Sequence, residues 1–443
     1  MKRRELLAVV LPVNILLMIF LSNISYGRTL CDIAKTDYRV GKITASSPCL
    51  EIGVHDIGKL GLTITNRGTF GTGFVAVPGQ TVIDPFTGLE APSATYPNPG
   101  KGSYLFGGAF WIGAVVGRDT LVSVGADGWE NPTIEEMFSE ICPYGAIQRR
   151  SIIKGDIDAI SEQDLIAVYT DTLTNPSFLR IDPTDNRPHK PLNIEVTQRS
   201  FAWSYAYAED FILFDYSIKN IGEKKLNIVY MGLYVDGDVG TTEYITDDAT
   251  DDICGFRRAI SSPQDPTGRC GFIDTVNLAW IADNDGKTDA DKDKPCSKET
   301  FKLPAVTATR VVRTPNADTL KYSFNWWVSN GTNVNLDFGP RMQNSVEDPF
   351  RDFGGFLGTP SGDKNKYYIM RHEEFDYDQI YSAKDYSNNG WFSPNPMLAG
   401  NIADGFDTRY LLSFGPFNMK SGEVLPISFA YVAGDSFHRN CTD

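Results

Sequence analysis

A chain of 443 residues that is 42% hydrophobic and 12% aromatic holds enough apolar material for a large core, which excludes intrinsic disorder. Its formal charge is −15, and an acidic surface repels phosphate backbones, so a nucleic-acid partner is excluded. Forty glycines, 25 prolines and short apolar runs, with no long segment of helical period, point to an all-β chain.

The first 27 residues read as an export signal. Lys2, Arg3 and Arg4 form a positive start, and Leu6 to Leu21 is apolar apart from Asn14. Ser25 and Gly27 occupy the −3 and −1 positions of a small-residue cleavage site. Pro12 and Asn14 inside so short a stretch argue against an uncleaved anchor. Cleavage after Gly27 removes a net charge of +2 and leaves −17 on the remainder. No later segment is long and apolar enough to span a bilayer as a helix, so the expected location is extracellular or on the outer cell surface. Export permits disulfides among the seven cysteines. Cys31 with Cys49, and Cys254 with Cys270 or Cys296, are the local options, and one cysteine stays odd. There is no CxxC, and His55, His189, His372 and His438 are scattered, so zinc has little support.

After an irregular start, Leu60, Leu62 and Ile64 alternate with small residues and end in Asn66-Arg67-Gly68. The same Ile-x-Asn-x-Gly ending recurs at Ile218 to Gly222. Residues 84–102 carry four prolines, which forbid a central strand and predict a loop. Tyr104 to Val116, a turn at Gly117-Arg118-Asp119 and the run from Thr120 predict a hairpin. Gly107, Gly108 and Gly113 in its first strand leave room for close backbone approach or neighbouring rings. One short helix is expected over Pro132–Glu140, capped by Asn131. Leu165 to Thr170 reads as a strand. The polar, proline-rich stretch 171–191 suggests a division into an N-terminal β-rich domain, 28–185, and a sandwich domain with acidic loops, 186–443.

The clearest order lies between Asn193 and Asp238. Phe201, Trp203, Tyr205 and Tyr207 alternate with small residues, as on a strand with one aromatic face. Ile194 and Val196 have the other parity, which predicts a bulge or bend near Gln198–Ser200. Ile212, Phe214, Tyr216 and Ile218 form the inward face of a second strand. From Ile228 to Val235 both parities are apolar, as in a strand covered on both sides. Further strands are expected at Val276–Ile281, Tyr322–Val328 and Tyr367–Met370. Tyr410–Phe414 and Ile427–Val432 are expected to close the chain as a pair.

Several long phrases together resemble a group of large secreted proteins from bacteria with a type IX secretion system. They are SYLFGGAFWIGAVVGRDTLVSVG, QDLIAVYTDT, EVTQRSFAWSYAYAEDFILFDYSIKNIG, GLYVDGDVG, AWIADNDG and LLSFGPFNMKSGE. The resemblance spans roughly residues 55–435. It implies export and a β-rich exterior protein, and it brings no catalytic residues. Such proteins often end in a sorting domain, and this sequence departs from that pattern, since none is visible after His438 up to Cys441-Thr442-Asp443. Separately, FDYSIKNIGEKKLNIVYMGLYVDGD resembles the core of immunoglobulin-like adhesion modules.

Three constellations bear on function. Asp236, Asp238, Glu243, Asp247, Asp248, Asp251 and Asp252 lie in one loop, and Asp283, Asp285, Asp289, Asp291 and Asp293 in another. Oxygen-rich flexible loops suit Ca²⁺, and Asp236, Asp238, Asp283, Asp285, Asp289 and Asp291 are the candidate ligands. The EF-hand template fails, because Ile281 and Lys292 would take positions that need carboxylates, and a solvated acidic loop is the competing reading. The second is aromatic. Phe201, Trp203, Tyr205, Tyr207, Trp326 and Trp327 could stack on sugar rings, but core packing is the favoured use of such residues. The third is His372-Glu373-Glu374-Phe375-Asp376-Tyr377-Asp378, which lacks the second histidine of HExxH. No GxSxG or phosphate loop occurs. The expectation is an exported all-β protein of packed sandwiches, immunoglobulin-like in part, with long loops. Its role would be structural or adhesive and non-catalytic, with a cell-surface or polysaccharide ligand. A carbohydrate-binding module or a glycoside-active enzyme is the alternative.

Overall fold

The computed structural model describes residues 48–76, 80–128, 134–139, 146–182, 186–241, 250–261, 273–315, 319–328, 362–371, 378–381 and 402–442, with 360 and 400. The export signal, Cys31, most of 330–365 and the run His372–Tyr377 lie outside the described residues.

The chain opens with short strands: β1 (Ile52–His55), β2 (Gly61–Thr65), β3 (Thr69–Gly71), β4 (Ser93–Thr95) and β5 (Gly102–Ser103). β4 falls inside the proline-rich stretch, and its three residues fit between Pro92 and Pro97. The expected hairpin follows as β6 (Gly107–Val116) and β7 (Asp119–Val124), paired antiparallel. Phe70 packs across Gly108, where a Cβ would lie 2.1 Å from the ring, so only glycine fits. Next come β8 (Ile147–Arg150), β9 (Gln163–Thr170), β10 (Ile181–Asp182), β11 (Arg187–Pro188), β12 (Ile194–Ala202), β13 (Phe211–Asn220) and β14 (Leu226–Asp236). The remainder forms β15 (Gly240–Thr241), β16 (Asp252–Ser261), β17 (Ile273–Asp283), β18 (Val306–Arg313), β19 (Lys321–Val328), helix α1 (Gly362–Met370), β20 (Thr408–Met419) and β21 (Val424–Gly434).

Two large antiparallel sheets pack face to face, as expected for an all-β sandwich. The first runs β15-β5-β4-β2-β3-β6-β14-β20-β19, with β1 on β2 and β7 on β6. The second runs β16-β17-β18-β21-β13-β12-β9-β8. Both sheets take strands from either side of residue 185, so the two expected units share one sandwich. Rings cross the interface: Phe70 lies 5.7 Å from Phe214, and Phe110 meets Tyr216 edge-on at 5.3 Å. Ile212, Phe214, Tyr216 and Ile218 are all buried in this core, as their alternation requires. β14 lies between β6 and β20 and is covered on both faces, its outer side by Tyr367, Tyr368, Ile369 and Met370 of α1.

The structure departs from the sequence reading in four places. Residues 134–139 are not helical, and Phe138 and Ser139 form isolated β-bridges. Phe138 exchanges both backbone hydrogen bonds with Thr170, each 2.9 Å, and this non-local pairing overrides local helix signals. Tyr367–Met370 is helical, since a four-residue apolar run does not distinguish strand from helix. β12 keeps an unbroken register with both neighbours and has no bulge, because Gln198 and Ser200 continue the inward face as buried polar residues. Gln198 Oε1 accepts from Tyr216 Oη (2.8 Å) and Tyr169 Oη (3.1 Å), and its Nε2 donates to the Thr65 carbonyl of the opposite sheet. Finally, β20 and β21 do not pair with each other. β20 joins β14 and β19 in the first sheet, and β21 joins β13 and β18 in the second.

The turns β13–β14 and β20–β21 both cross from one sheet to the other, and Asn220 ties them together. Its Nδ2 donates to the Lys224 carbonyl (2.9 Å) and the Met419 carbonyl (3.2 Å). Its backbone N–H donates to the Glu423 carbonyl (3.0 Å), and its own carbonyl accepts from Gly422 N (2.8 Å). The earlier copy of the ending, at Asn66, closes a hairpin within one sheet, where Asn66 Oδ1 accepts from Glu51 N.

Candidate functional site

One end of the sandwich collects the loops with chemical content. β14 and β17 end there, and β16 and β20 start there, because Asp236 pairs with Arg409 and Asp252 with Asp283 across the ladders. The turn between β12 and β13 belongs to the same end of the second sheet, three strand spacings from β17, about 14 Å. Loops at a sandwich end can change without disturbing the core, and binding residues concentrate in such places.

At the first sheet's side of this end, Asp236, Asp238 and Asp407 bring carboxylate oxygens within 4.8 Å of one another. The guanidinium of Arg409, itself buried, is already among them. Its Nε lies 3.2 Å from Asp236 Oδ1 and its Nη2 pairs with Asp407. Tyr234 Oη donates to Asp236 Oδ2 at 3.0 Å. Burial pushes the Asp236 carboxyl up, against the pull of Arg409. This trio is therefore an ion-paired cluster in which a side chain does the work of a cation.

On the second sheet, Asp252 and Asp283 face each other as cross-strand partners, both fully buried. Asp252 accepts from Val239 N at 3.1 and 3.3 Å. Asp283 Oδ1 accepts from Asp285 N (2.9 Å) and from Gly286 N. Burial, with repulsion from Asp238, Asp251 and Asp283, pushes the Asp252 carboxyl well above the usual carboxylate range. Burial and Asp251 do the same to Asp283. The other candidate ligands are satisfied by protein groups. Asp285 pairs with Lys287 at 2.8 Å, and Asp289 accepts from Thr250 Oγ1 at 2.7 Å. Asp291 sits between Lys294 and Lys302, which hold its carboxyl down at about 2. Glu243, Asp247 and Asp248 lie outside the described residues.

Two covalent and hydrogen-bonded ties close the same end. Cys296 bonds Cys441, joining the loop after β17 to the segment after β21. His438 Nε2 donates to the Asp283 carbonyl at 2.8 Å. Cys254 is free and buried in the core, which overturns the expected bridge within Cys254, Cys270 and Cys296. The partner of Cys296 lies 145 residues away and was not visible from local spacing. Cys49 is also disulfide-bonded.

The expected aromatic face splits. β12 ends at Ala202, so Trp203, Tyr205 and Tyr207 sit in the turn that follows. Trp326 and Trp327 are fully buried, as is Phe201, and serve the core. Tyr205 and Tyr207 are 42% and 51% exposed and stack on each other, centroids 5.5 Å apart and planes at 16°. Glu162 braces the turn by accepting from Ser204 Oγ at 3.1 Å and from Ser204 N.

Elsewhere a charged pocket holds Glu136, Arg187, His189, Asp363 and Lys366. Its charged groups are paired: Arg187 with Asp363 at 2.6 Å, and Lys366 with Asp127, just outside the lining, at 2.7 Å. His189 Nδ1 faces Glu136 Oε1 at 2.8 Å and Nε2 faces the Asp171 carbonyl at 3.0 Å. Two acceptors require two ring protons, so this histidine is a cationic clasp with no nitrogen left for proton transfer. Burial opposes that charge, but Glu136 and Asp171 outweigh it and hold the imidazole up at about 9. A raised histidine stabilises fully below its unfolded value and loses that contribution as pH rises through the folded one. The stability difference between wild type and His189→Gln, measured by urea titration, is thus expected to be on the order of 3 kcal/mol at pH 6. It should shrink steadily toward pH 9.5. A difference independent of pH would show that His189 is not charged. His55 is the opposite case. It is buried against Ser200 Oγ, its pKa lowered to about 3 by burial, and it remains neutral.

No protein-family model matches the chain, and no curated protein matches it. Among solved structures, one from Escherichia coli K12, described provisionally as an aldose 1-epimerase, aligns at 10% identity with a TM-score of 0.26. The alignment covers 87% of this chain and 99% of that one. A TM-score this low carries no argument about fold or activity.

Proposed function

We propose that this chain is an exported, non-catalytic protein of the cell exterior that works by contact, gripping a polysaccharide or surface glycan through the turn after β12. The observation that carries this reading is the exposed, stacked Tyr205–Tyr207 pair on a braced turn. Tyrosine usually sheds exposed ring area into a core, and a rigid aromatic step beside polar groups is the ordinary tool for stacking on sugar rings. The same turn carries Ser204, Glu209 and Asp210, which tie it to Glu162, Lys59 and Tyr96 and so hold its shape. Export is supported by the disulfide Cys296–Cys441, since such bonds persist in oxidising compartments. The signal-like residues 1–27 and the resemblance to type IX-exported proteins support the same location.

The double variant Tyr205→Ala/Tyr207→Ala is expected to lose retention on insoluble polysaccharides at least tenfold. Its melting temperature should stay within about 2 °C of wild type, because exposed rings contribute little to packing. Undiminished retention would remove the tyrosines from the binding surface. Release of reducing sugar by wild type, abolished by Glu373→Gln or Glu374→Gln, would replace this reading with a hydrolase.

A further inference from the structure

We propose that Asp252 and Asp283 together ligate one divalent cation, Ca²⁺ in an exterior setting, with Asp238 and Asp251 supplying neighbouring negative charge. The two ligands are directly opposed on β16 and β17, so their side chains rise from the same face of the sheet at the closest cross-strand spacing. Both residues are fully buried, where opposed like charges are costly without a counter-charge. Asp283 Oδ2 is the telling atom. Its sister oxygen takes the two backbone donors of the Asp283–Gly286 turn, while Oδ2 is buried and accepts no hydrogen bond from the described residues.

Cationic side chains nearby are committed elsewhere. Arg409 serves Asp236 and Asp407, and Lys287 serves Asp285. Among the described residues, no lysine or arginine forms an ion pair with Asp252 or Asp283. Asp238 and Asp251 are half-buried and mark the side from which an ion would enter. Hard carboxylate oxygens on loop-flanked strand ends suit Ca²⁺, which tolerates irregular geometry and completes its shell with water, better than Mg²⁺, which demands a regular octahedron. Gly237 packs closely against the pair, since a Cβ there would sit 2.5 Å from Ile281 Cδ1 and 3.0 Å from Asp252 Oδ2.

The test uses the full-length exported protein, treated with EGTA and exchanged into metal-free buffer. Calorimetric titration with CaCl₂ is expected to show one site, and saturating Ca²⁺ should raise the melting temperature by at least about 2 °C over EGTA. Asp283→Asn and Asp252→Asn should each abolish that shift, while Asp285→Asn should keep it. A titration of wild type without heat, or an equal shift in Asp283→Asn, would overturn the proposal. So would a melting temperature that rises in Asp283→Asn under EGTA with no response of wild type to Ca²⁺, which would mean the pair shares a proton instead. Because the titration of wild type decides on its own, a variant that fails to fold leaves the proposal open to refutation.

Discussion

Replacing Arg409 by alanine is expected to cost roughly 3–5 kcal/mol of stability, the range for breaking a buried ion pair from one side. Its guanidinium is about 1% exposed and lies between Asp236 and Asp407, with Tyr234 completing the shell of Asp236. Removing it leaves the fully buried Asp236 carboxylate without the guanidinium that faces it. Because Asp236 ends β14 and Arg409 lies one residue after the start of β20, both central strands should fray at this end. Urea denaturation of Arg409→Ala provides the measurement. Adding Asp236→Asn to that variant should recover part of the loss, since the orphaned charge is then gone. A loss below about 1 kcal/mol for Arg409→Ala would show that the cluster is solvated and unimportant to the fold.

Removing the Cys296–Cys441 bond should have an effect of similar size. The bond closes a loop of 145 residues, for which chain-entropy arguments give on the order of 4–5 kcal/mol as an upper figure. Cys296→Ser/Cys441→Ser should therefore melt well below wild type. It should also lose protection from proteolysis first in residues 435–442, where His438 anchors to Asp283. Equal melting temperatures with and without dithiothreitol would show that the loop is held without the bond.

Legibility in the sequence followed the range of the interactions. The alternation Ile212, Phe214, Tyr216, Ile218 announces a strand because a strand's period is local and its buried face is made of its own residues. The hairpin β6–β7 is legible for the same reason. The pairing of Asp252 with Asp283 is not, since 31 positions separate them and only the ladder of β16 and β17 opposes them. Both aspartates stood in acidic runs, yet the runs also held Asp289 and Asp291, which turn out to serve nearby threonine and lysines. Arg409 and Asp407 gave no signal at all, because a buried arginine looks like any other until the strand that faces it is known. The aromatic alternation through Tyr207 misled for a related reason. Period two persists into the turn, but β13 must reverse direction at Phe211, and the chain leaves the sheet after Ala202 to do so.

The central placement of β20 and β21 has a consequence for the order of events in the life of the molecule. Each sits in the interior of a different sheet, so neither sheet is continuous until residues 408–434 arrive. Everything synthesised before them, including β14 and β13, waits with an open flank for a partner some two hundred positions downstream. Pairings this distant in sequence form slowly. A chain built so cannot complete its core while it is still being made, and both halves of the sandwich close only when its last two long strands are in place.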